Sequence, residues 1–302
     1  MTTKAEADSL SLQWHVVGLF DLLGQQEHLR NLRSLPNRND TEALARTRND
    51  LKNTYGAVVA MRQMFKHAFE TYERRSVDTN SLTPEQFEVY EQLSNKPIQF
   101  YGFSDSMVIF QTLRITEAAK LPVRGIFGII VAAATTFIGC LGVGHPIRGG
   151  IDLGVGVEPS GGEVYGAALS RAYTLESRIA NYPRIIVGDE LIRYLMGLRD
   201  EAQVDEFAPL SKSIAAACID CLAYDDDGVP FVDYLGPFFR TRIGSAIGSR
   251  GVGYIDKAYE RVIEFSARYK AEKNSKLAFR YTLLRDYFES RLHLWTDIPR
   301  QA

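Results

Sequence analysis

Two aspartates lie at sequence positions where a predicted strand and a predicted hairpin would fix their carboxylates. Asp21 closes the apolar run of residues 14–20, which is typical of a central strand with an acid at its C-terminal end. Asp105 lies between two strand-like segments that a tight turn near Gly102 would join as a hairpin. If that hairpin and the first strand are neighbours in one sheet, both carboxylates can face one pocket. Mg²⁺ needs little more, because it keeps several waters and takes one or two carboxylates together with substrate phosphates.

Each aspartate also has a purely structural interpretation. Asp21 could cap a turn, and Asp105 could accept hydrogen bonds from the amides of its own hairpin. Only the pair of acids, brought together by a sheet, indicates a metal site. The metal hypothesis therefore depends on the arrangement of the elements that carry the two residues.

The apolar periodicity along the chain predicts an α+β fold. Residues 40–75 have the pattern of an amphipathic helix, and further strands and helices are predicted at residues 97–101, 106–113, 125–144, 147–157, 167–180 and 184–187. The order β-α-β-β-α-β, with a further α-β, matches a ferredoxin-like core in which helices cover one face of an antiparallel sheet. We predict a first domain of residues 1–240 and a C-terminal helical extension of residues 241–302, with two helices within residues 254–294.

The run of residues 125–144 is almost wholly apolar and nearly long enough to cross a bilayer. It begins just after Pro122, a residue suited to the first turn of a helix, and strand-like segments flank it on both sides. A membrane span is the alternative to a buried core helix. The flanking strands favour the core helix, so we expect no membrane association.

Composition excludes few classes of protein. The formal net charge is −2, so there is no overall electrostatic reason to bind nucleic acid or an anionic membrane. The three cysteines, Cys140, Cys218 and Cys221, lack the second pair or the histidines of a zinc site and are expected to be buried thiols. Unpaired thiols and a polar N-terminus without the pattern of a secretory signal indicate a cytoplasmic protein.

Two further segments have the composition of binding loops but not their spacing. Residues 225–228, Asp-Asp-Asp-Gly, lack the alternate spacing of a calcium loop and predict a hairpin turn. Residues 244–253 are rich in glycine but lack the lysine of a P-loop. They predict a flexible loop, with a phosphate cradle as the alternative.

Four blocks of the sequence resemble the class III adenylate and guanylate cyclases. The segment at Asp21 is similar to their first metal motif, an apolar strand that ends in Asp and is followed by two apolar residues and Gly. The hairpin ending in Ser104 and Asp105 is similar to their second metal motif, in which Gly or Ser precedes Asp. Residues 148–154 resemble the family's basic strand, and residues 163–177 resemble the block that leads through the next helix. The blocks keep the family's order.

The resemblance implies a nucleotidyl cyclase with a class III core. Two divalent ions, Mg²⁺ or Mn²⁺, would be held by Asp21, Asp105 and the backbone carbonyl of Leu22. They would activate the ribose 3′-hydroxyl of a nucleoside triphosphate and neutralise the departing pyrophosphate. The triphosphate would meet three successive backbone amides, as it meets a helix start, those of Leu23, Gly24 and Gln25. The family also implies a homodimer with active sites at its interface.

Other positions depart from the purine cyclases of the family. The Lys that reads the base falls on Tyr101, and the acidic or small residue before the later helix falls on Glu163. The Asn and the Arg of that helix fall on Ser170 and Thr174. The missing cation could be replaced by one of three arginines, Arg171, Arg148 or Arg178, of which we assign the catalytic role to Arg171. Either the domain is degenerate or its pocket is rebuilt, and the presence of both metal acids favours a rebuilt pocket.

A rebuilt pocket around Tyr101 suits a base smaller than a purine, because tyrosine offers an aromatic face and a hydroxyl. We therefore expect the substrate to contact Tyr101, Glu163 and Ser170. This pattern, together with residues 162–187, resembles the pyrimidine cyclases of bacterial Pycsar antiphage defence. That resemblance implies conversion of UTP or CTP to the 3′,5′-cyclic monophosphate, which a separate effector senses. A purine cyclase and an inactive cyclase-like binding module are the alternatives.

Overall fold

The strands and helices form an α+β fold, a mixed sheet of eight strands packed against helices. The computed structural model describes residues 13–25, 35–75, 83–88, 98–113, 123–158, 164–200 and 207–296, without the side chains of 73–75 and 243–251. The α+β class predicted from the sequence is confirmed.

The elements have the following bounds. The strands are β1 (Gln13–Leu22), β2 (Gln99–Phe103), β3 (Ser106–Leu113), β4 (Ile147–Val157), β5 (Tyr165–Gly166), β6 (Ile185–Val187), β7 (Leu222–Tyr224) and β8 (Pro230–Val232). The helices are α1 (Thr41–Arg75), α2 (Val123–Gly142), α3 (Ala167–Thr174), α4 (Asp189–Asp200), α5 (Ala208–Asp220), α6 (Gly244–Ala271) and α7 (Ser275–Arg291). A π-helical turn, Leu175–Ile179, continues α3, and a second one, Phe239–Ile243, precedes α6.

Strand β1 lies in the interior of the sheet, as its apolar sequence predicts. The strand order is β2-β3-β1-β4-β6-β8-β7, and the short strand β5 pairs with β4. Strand β1 is antiparallel to both β3 and β4, whereas β4 and β6 are parallel. The hairpin of β2 and β3 is therefore the direct neighbour of β1, which is the arrangement that the two-aspartate hypothesis requires.

Alternate residues of β1 face two different layers. Val16, Phe20 and Leu22 belong to the large core formed with α1 and α2. Val17 and Leu19 point to the opposite face, where they pack with Phe110 of β3 and with two alanines of α3. Helix α3 thus covers part of the second face. The sequence had predicted helices on one face of the sheet only. Helix α3 reaches the second face because the run of glycines in β4 lets a helix approach the strand closely.

Helix α2 is a core helix. It is the one helix in the described part of the chain that is long and apolar enough to cross a membrane, but 94% of its apolar window is buried inside the fold. It packs against α1 at close range, because a Cβ atom on Gly139 would lie 2.2 Å from the Sδ atom of Met64. The prediction of a buried core helix is confirmed.

The prediction of a flexible loop at residues 244–253 was wrong. These residues form the first part of helix α6, which runs to Ala271. Glycine costs up to about 1 kcal/mol per residue in a helix, but the same helix buries Val252, Ile255 and Ala258 in the core that contains the sheet. Burial of one apolar face therefore outweighs the poor local propensity. The two helices expected within residues 254–294 are confirmed as α6 and α7.

The predicted turn at residues 225–228 joins β7 and β8, and its glycine, Gly228, has a φ of +76°. The turn has a second role that the sequence did not indicate. Arg184 is 1% exposed and forms ion pairs with Asp225 at 2.5 Å and with Asp227 at 2.6 Å. A buried guanidinium needs such partners, because an unpaired buried charge costs several kcal/mol. The acidic turn therefore neutralises a buried arginine.

All three cysteines are buried free thiols, as expected. Burial raises the pKa of Cys140 to about 12, and it also raises the pKa of Cys218 and of Cys221. A thiol with a raised pKa is a poor nucleophile and a poor metal ligand. These residues contribute to packing.

Candidate functional site

The register of the sheet places Asp21 between two polar residues on neighbouring strands. Asp21 is paired with Ser106 of β3 and with Arg148 of β4. Residues that are directly paired project from the same face of a sheet, so the three side chains form a row on the face opposite α1 and α2. The Ser106 hydroxyl donates a hydrogen bond to Oδ1 of Asp21 at 2.7 Å, which fixes the orientation of the carboxylate.

Asp105 lies beside this row, in the two-residue turn between β2 and β3. The amide of Leu22 donates to the carbonyl oxygen of Asp105 at 3.3 Å, so the turn is tied to the end of β1. The residue before it, Ser104, has a φ of +52°, a conformation that glycine usually supplies at this position of a hairpin turn. The fold therefore brings the two aspartates of the metal hypothesis to one end of the sheet.

The two carboxylates interact electrostatically. Burial raises the pKa of Asp21 and the negative charge of Asp105 raises it further, while the Ser106 hydrogen bond and the positive charge of Arg148 act in the opposite direction. The balance leaves the pKa of Asp21 above its ordinary value. A bound cation stabilises the charged form of a carboxylate. This effect is largest where burial and a neighbouring acid make that carboxylate costly to ionise.

A third carboxylate, Glu176, reaches the site from the π-helical turn after α3. Arg148 binds it through Nε at 2.7 Å and through Nη2 at 2.5 Å, both to Oε1 of Glu176. Burial is the largest cause that raises the pKa of Glu176, Arg148 lowers it, and the charges of Asp21 and Asp105 raise it. One guanidinium thus binds Glu176 and acts electrostatically on Asp21.

Gly150 makes this contact possible. A Cβ atom at Gly150 would lie 2.5 Å from the carbonyl oxygen of Ala172 and 2.6 Å from the Cβ of Leu175, so only glycine lets α3 approach β4 this closely. The π-helical turn then places Glu176 over Arg148. π-Helical turns are rare and occur preferentially at functional sites.

The donors at this site fit a cation that takes part of its coordination shell from water or a bound anion. Among the described residues, no group of three or more His, Cys, Asp and Glu side chains is arranged to hold a metal ion. Apart from Glu176, which is bound by Arg148, the site offers two carboxylates, those of Asp21 and Asp105. That set is too small for a protein-only calcium or zinc site but sufficient for Mg²⁺ or Mn²⁺ that keeps waters and binds phosphate. The residues present therefore fit a divalent ion that completes its coordination with water and phosphate oxygens.

The residues after β1 are only partly available to bind phosphate. The Leu23 amide donates to the carbonyl oxygen of Pro146 at 2.9 Å, so its expected contact with a triphosphate is corrected. Gly24 is exposed and has a φ of +88°, and a Cβ atom added to it would meet no heavy atom of the described residues within 4 Å apart from its chain neighbours. Gln25 is 3% exposed, and its buried Oε1 atom has no hydrogen-bond partner among the described residues. Gly24 is the most open of the three positions.

Tyr101 lies on the edge strand β2, on the same face as Asp21. Its ring stacks on Phe110 with centroids 5.6 Å apart and planes inclined by 11°. Its hydroxyl donates to Oε1 of Gln99 at 3.2 Å. One ring face is thus occupied by Phe110, and the half-buried position leaves part of the side chain open to solvent. Glu163, the other residue expected to read the base, lies outside the described residues.

Ser170 and Arg171 of α3 do not join the aspartates within one chain. Arg171 lies 3.3 Å from Glu190 and 3.8 Å from the buried carboxylate of Asp152. Asp152 follows Arg148 by four positions in β4, and at about 3.3 Å per residue the separation is about 13 Å. Ser170, Arg171 and Asp152 line a groove of about 450 Å³.

Sequence reasoning missed several residues of the site. Ser106 follows Asp105 directly, and Glu176 lies in the block that resembles the cyclases, so both had a local signal. Arg62 of α1 and Arg280 of α7 had none. Arg62 contacts the turn that carries Asp105. The pKa of Arg280 is lowered first by burial and then by the positive charge of Arg148, which places the two guanidinium groups within electrostatic reach of each other.

Comparison with known proteins adds no family assignment. No protein-family model matches this chain, and no curated protein matches it with significant similarity. The functional interpretation therefore depends on the residues of the site and on the resemblance of its motifs.

Proposed function

We propose that this protein is a nucleotidyl cyclase that converts a nucleoside triphosphate, UTP or CTP, to the 3′,5′-cyclic monophosphate and pyrophosphate. The observation that carries the proposal is the juxtaposition of Asp21 and Asp105. They come from two elements far apart in sequence and lie at one end of the sheet, where burial and then the charge of Asp105 raise the pKa of Asp21. Two adjacent carboxylates of this kind are suited to hold two divalent cations over a triphosphate.

The topology supports a class III cyclase core. The elements β1, α1, β2, β3, α2 and β4 follow the β-α-β-β-α-β order, and their strands are arranged as β2-β3-β1-β4 with antiparallel neighbours. That order is the one expected for a ferredoxin-like sheet. Fold alone does not imply function, so the support comes from the position of both acids within this core.

Each residue of the site has a role in the proposed reaction. Asp21 and Asp105 would hold the metal ions, whose chemistry is to lower the pKa of the ribose 3′-hydroxyl and to neutralise the charge of the leaving pyrophosphate. Ser106 orients the Asp21 carboxylate through its hydrogen bond. Arg148, next to Asp21 in the register, is the guanidinium best placed to bind a phosphate oxygen, because Arg matches phosphate geometry.

The position of Arg171 supports a homodimer. Arg171 contacts Asp152, which lies about 13 Å along β4 from Arg148, the register partner of Asp21, so Ser170 and Arg171 lie beside a different part of the strand from the aspartates. Arg171 is 44% exposed and lines an open groove. A second copy of the chain that presented α3 to the aspartates would complete the site, with one active site at each half of the interface. We also propose that the enzyme is cytoplasmic and that a separate effector protein senses its product.

The test is product identification with each of the four ribonucleoside triphosphates. Purified protein is incubated with each triphosphate and Mn²⁺ or Mg²⁺, and the nucleotides are identified by mass spectrometry. The proposal predicts a 3′,5′-cyclic pyrimidine nucleotide that requires the metal and is lost in Asp21→Asn. A cyclic purine nucleotide as product would show that the substrate base is a purine. The absence of any cyclic product under all conditions would refute the cyclase activity.

One observation favours a second candidate, a cyclase-like module that binds a nucleotide without turnover. Arg148 is engaged by Glu176, and the positions of the family's Asn and Arg carry Ser170 and Thr174. Isothermal titration calorimetry with UTP, CTP, ATP and GTP in the presence of Mg²⁺ separates the two candidates. Binding with unchanged nucleotide recovered after the titration supports the binding module.

A further inference from the structure

Arg62 connects helix α1 to the turn that carries Asp105. Its Nη2 atom donates to the carbonyl oxygen of Ser104 at 3.3 Å and to the carbonyl oxygen of Ser106 at 3.0 Å. Those two residues are the chain neighbours of Asp105 on either side. One guanidinium nitrogen therefore holds the backbone immediately before and immediately after the aspartate.

The hairpin is built to accept this side chain. A Cβ atom on Gly102 would lie 2.2 Å from both Cζ and Nη2 of Arg62, so the guanidinium occupies the space that any other residue at position 102 would fill. The backbone amide and carbonyl groups of a surface turn are usually exposed to solvent. Here two carbonyls of the turn are bound by a residue of a different layer, 42 and 44 positions away in sequence.

The turn needs such a restraint. Ser104 is one of two residues other than glycine with positive φ in the described part of the chain, at +52°. A non-glycine residue in this region is less stable than in the ordinary regions by about 1 kcal/mol or more and persists when its surroundings impose it. A charged donor that binds the Ser104 carbonyl supplies that constraint, because hydrogen bonds from charged groups are stronger than neutral ones.

We propose that Arg62 is the positioning residue for Asp105: its guanidinium fixes the β2–β3 turn so that the Asp105 carboxylate faces Asp21. The proposal rests on the proposed cyclase function, since it assigns the purpose of the contact to metal binding. Arg62 itself does not touch the substrate in this arrangement. It acts through the backbone of the turn, from the face of the sheet that α1 covers.

The test compares three variants of the full-length chain. Arg62→Met keeps the aliphatic packing but removes the guanidinium and its hydrogen bonds. Arg62→Lys keeps a positive charge but lacks the planar set of N–H donors of the guanidinium. The matched control is Arg46→Met, on the same helix, where the arginine is 70% exposed and pairs with Glu42 of the same helix at 3.5 Å. Amide hydrogen exchange of the peptide spanning residues 99–110 reports the order of the turn without any assumption about activity.

The expected result is faster exchange of the turn amides by about tenfold or more in Arg62→Met, an intermediate effect in Arg62→Lys and no change in Arg46→Met. In cyclase assays the Mn²⁺ concentration for half-maximal turnover should rise about five- to tenfold in Arg62→Met, with a smaller change in KM for the nucleotide. A general loss of structure would instead lower kcat without changing the metal dependence.

Gly102→Ala gives an independent variant that leaves Arg62 in place but occupies the space of its guanidinium. It should reproduce the exchange and Mn²⁺ effects of Arg62→Met, and the double variant should be little worse than either single one. Unchanged exchange in Arg62→Met overturns the proposal, and so does faster exchange with an unchanged Mn²⁺ dependence. Absence of turnover in the wild-type protein refutes the proposed function instead, and the exchange comparison still decides whether Arg62 orders the turn.

Discussion

Arg148 and Glu176 form an ion pair directly beside Asp21. Both Nε and Nη2 of Arg148 bind one oxygen of Glu176, at 2.7 Å and 2.5 Å, and both side chains are largely buried. The pair gives the buried carboxylate of Glu176 a counter-ion, and the same guanidinium lowers the pKa of Asp21. A phosphate group could replace Glu176 as the hydrogen-bonded anion of Arg148.

The two aspartates should be required for turnover and dispensable for folding. We expect Asp21→Asn and Asp105→Asn each to lower kcat/KM at least about 1,000-fold, because each removes a charged ligand of the metal ions. Asn at position 21 still offers an oxygen to the Ser106 hydroxyl and removes a charge that burial makes costly, so the thermal midpoint should not fall. Glu42→Gln, an exposed acid of α1, is the control. Turnover near the wild-type rate in either variant would contradict the metal assignment.

Breaking the Arg148–Glu176 pair on one side should destabilise the protein. Arg148→Met leaves Glu176 buried without its counter-ion, and we expect a loss of about 3 kcal/mol in the free energy of unfolding. The double variant Arg148→Met with Glu176→Gln should recover much of that loss, because no buried charge is left unpaired. Urea denaturation of the wild type, both single variants and the double variant measures the coupling. Strictly additive effects would show that the pair contributes nothing.

Asp152 should make stability depend on pH. Burial is the main cause that raises its pKa, and Glu190 adds to it, whereas the amides of Leu153 and Leu191 and the charge of Arg171 lower it. An acid with a raised pKa in the folded state is costlier to ionise there, so its contribution to stability decreases as pH rises above the ordinary pKa of 3.8. Asp152→Asn should therefore be more stable than the wild type at about pH 7 and indistinguishable from it near about pH 3.5.

The measurement is the urea midpoint of both proteins between about pH 3.5 and about pH 7. Asn keeps an oxygen that can accept from the Leu191 amide, which binds Oδ1 of Asp152 at 3.0 Å. A wild type that gains stability over Asp152→Asn as pH rises would show that the Arg171 and amide contacts outweigh burial.

Two glycines should respond in opposite directions to alanine. Gly56 lies in the exposed interior of α1, where no described atom beyond the local helix backbone lies within 4 Å of a Cβ position, so Gly56→Ala should stabilise the protein by about 0.5–1 kcal/mol. Gly150→Ala would place its Cβ 2.5 Å from the backbone of α3, and we expect a loss of about 1–3 kcal/mol. Thermal denaturation measures both. Equal effects at the two positions would refute the close packing of α3 on β4.

Local patterns predicted most elements but not all. The apolar run of β1, the periodicity of α1 and the apolar composition of α2 each indicated the observed element, because burial on one or both faces leaves a regular signal in sequence. Residues 244–253 gave the wrong prediction, because glycine content reports local propensity while the helix there is stabilised by the packing of α6 against the rest of the core.

The sequence by itself determined the α+β class, the central strand that ends near Asp21 and the hairpin that carries Asp105. Only the tertiary structure decided which side chains complete that end of the sheet. Arg148 and Glu176 are 28 positions apart, and Arg62 is 42 positions from Ser104 in the turn that it binds. Such contacts depend on strand register and helix placement, which are fixed by the packing of the whole core, so no local pattern of residues encodes them.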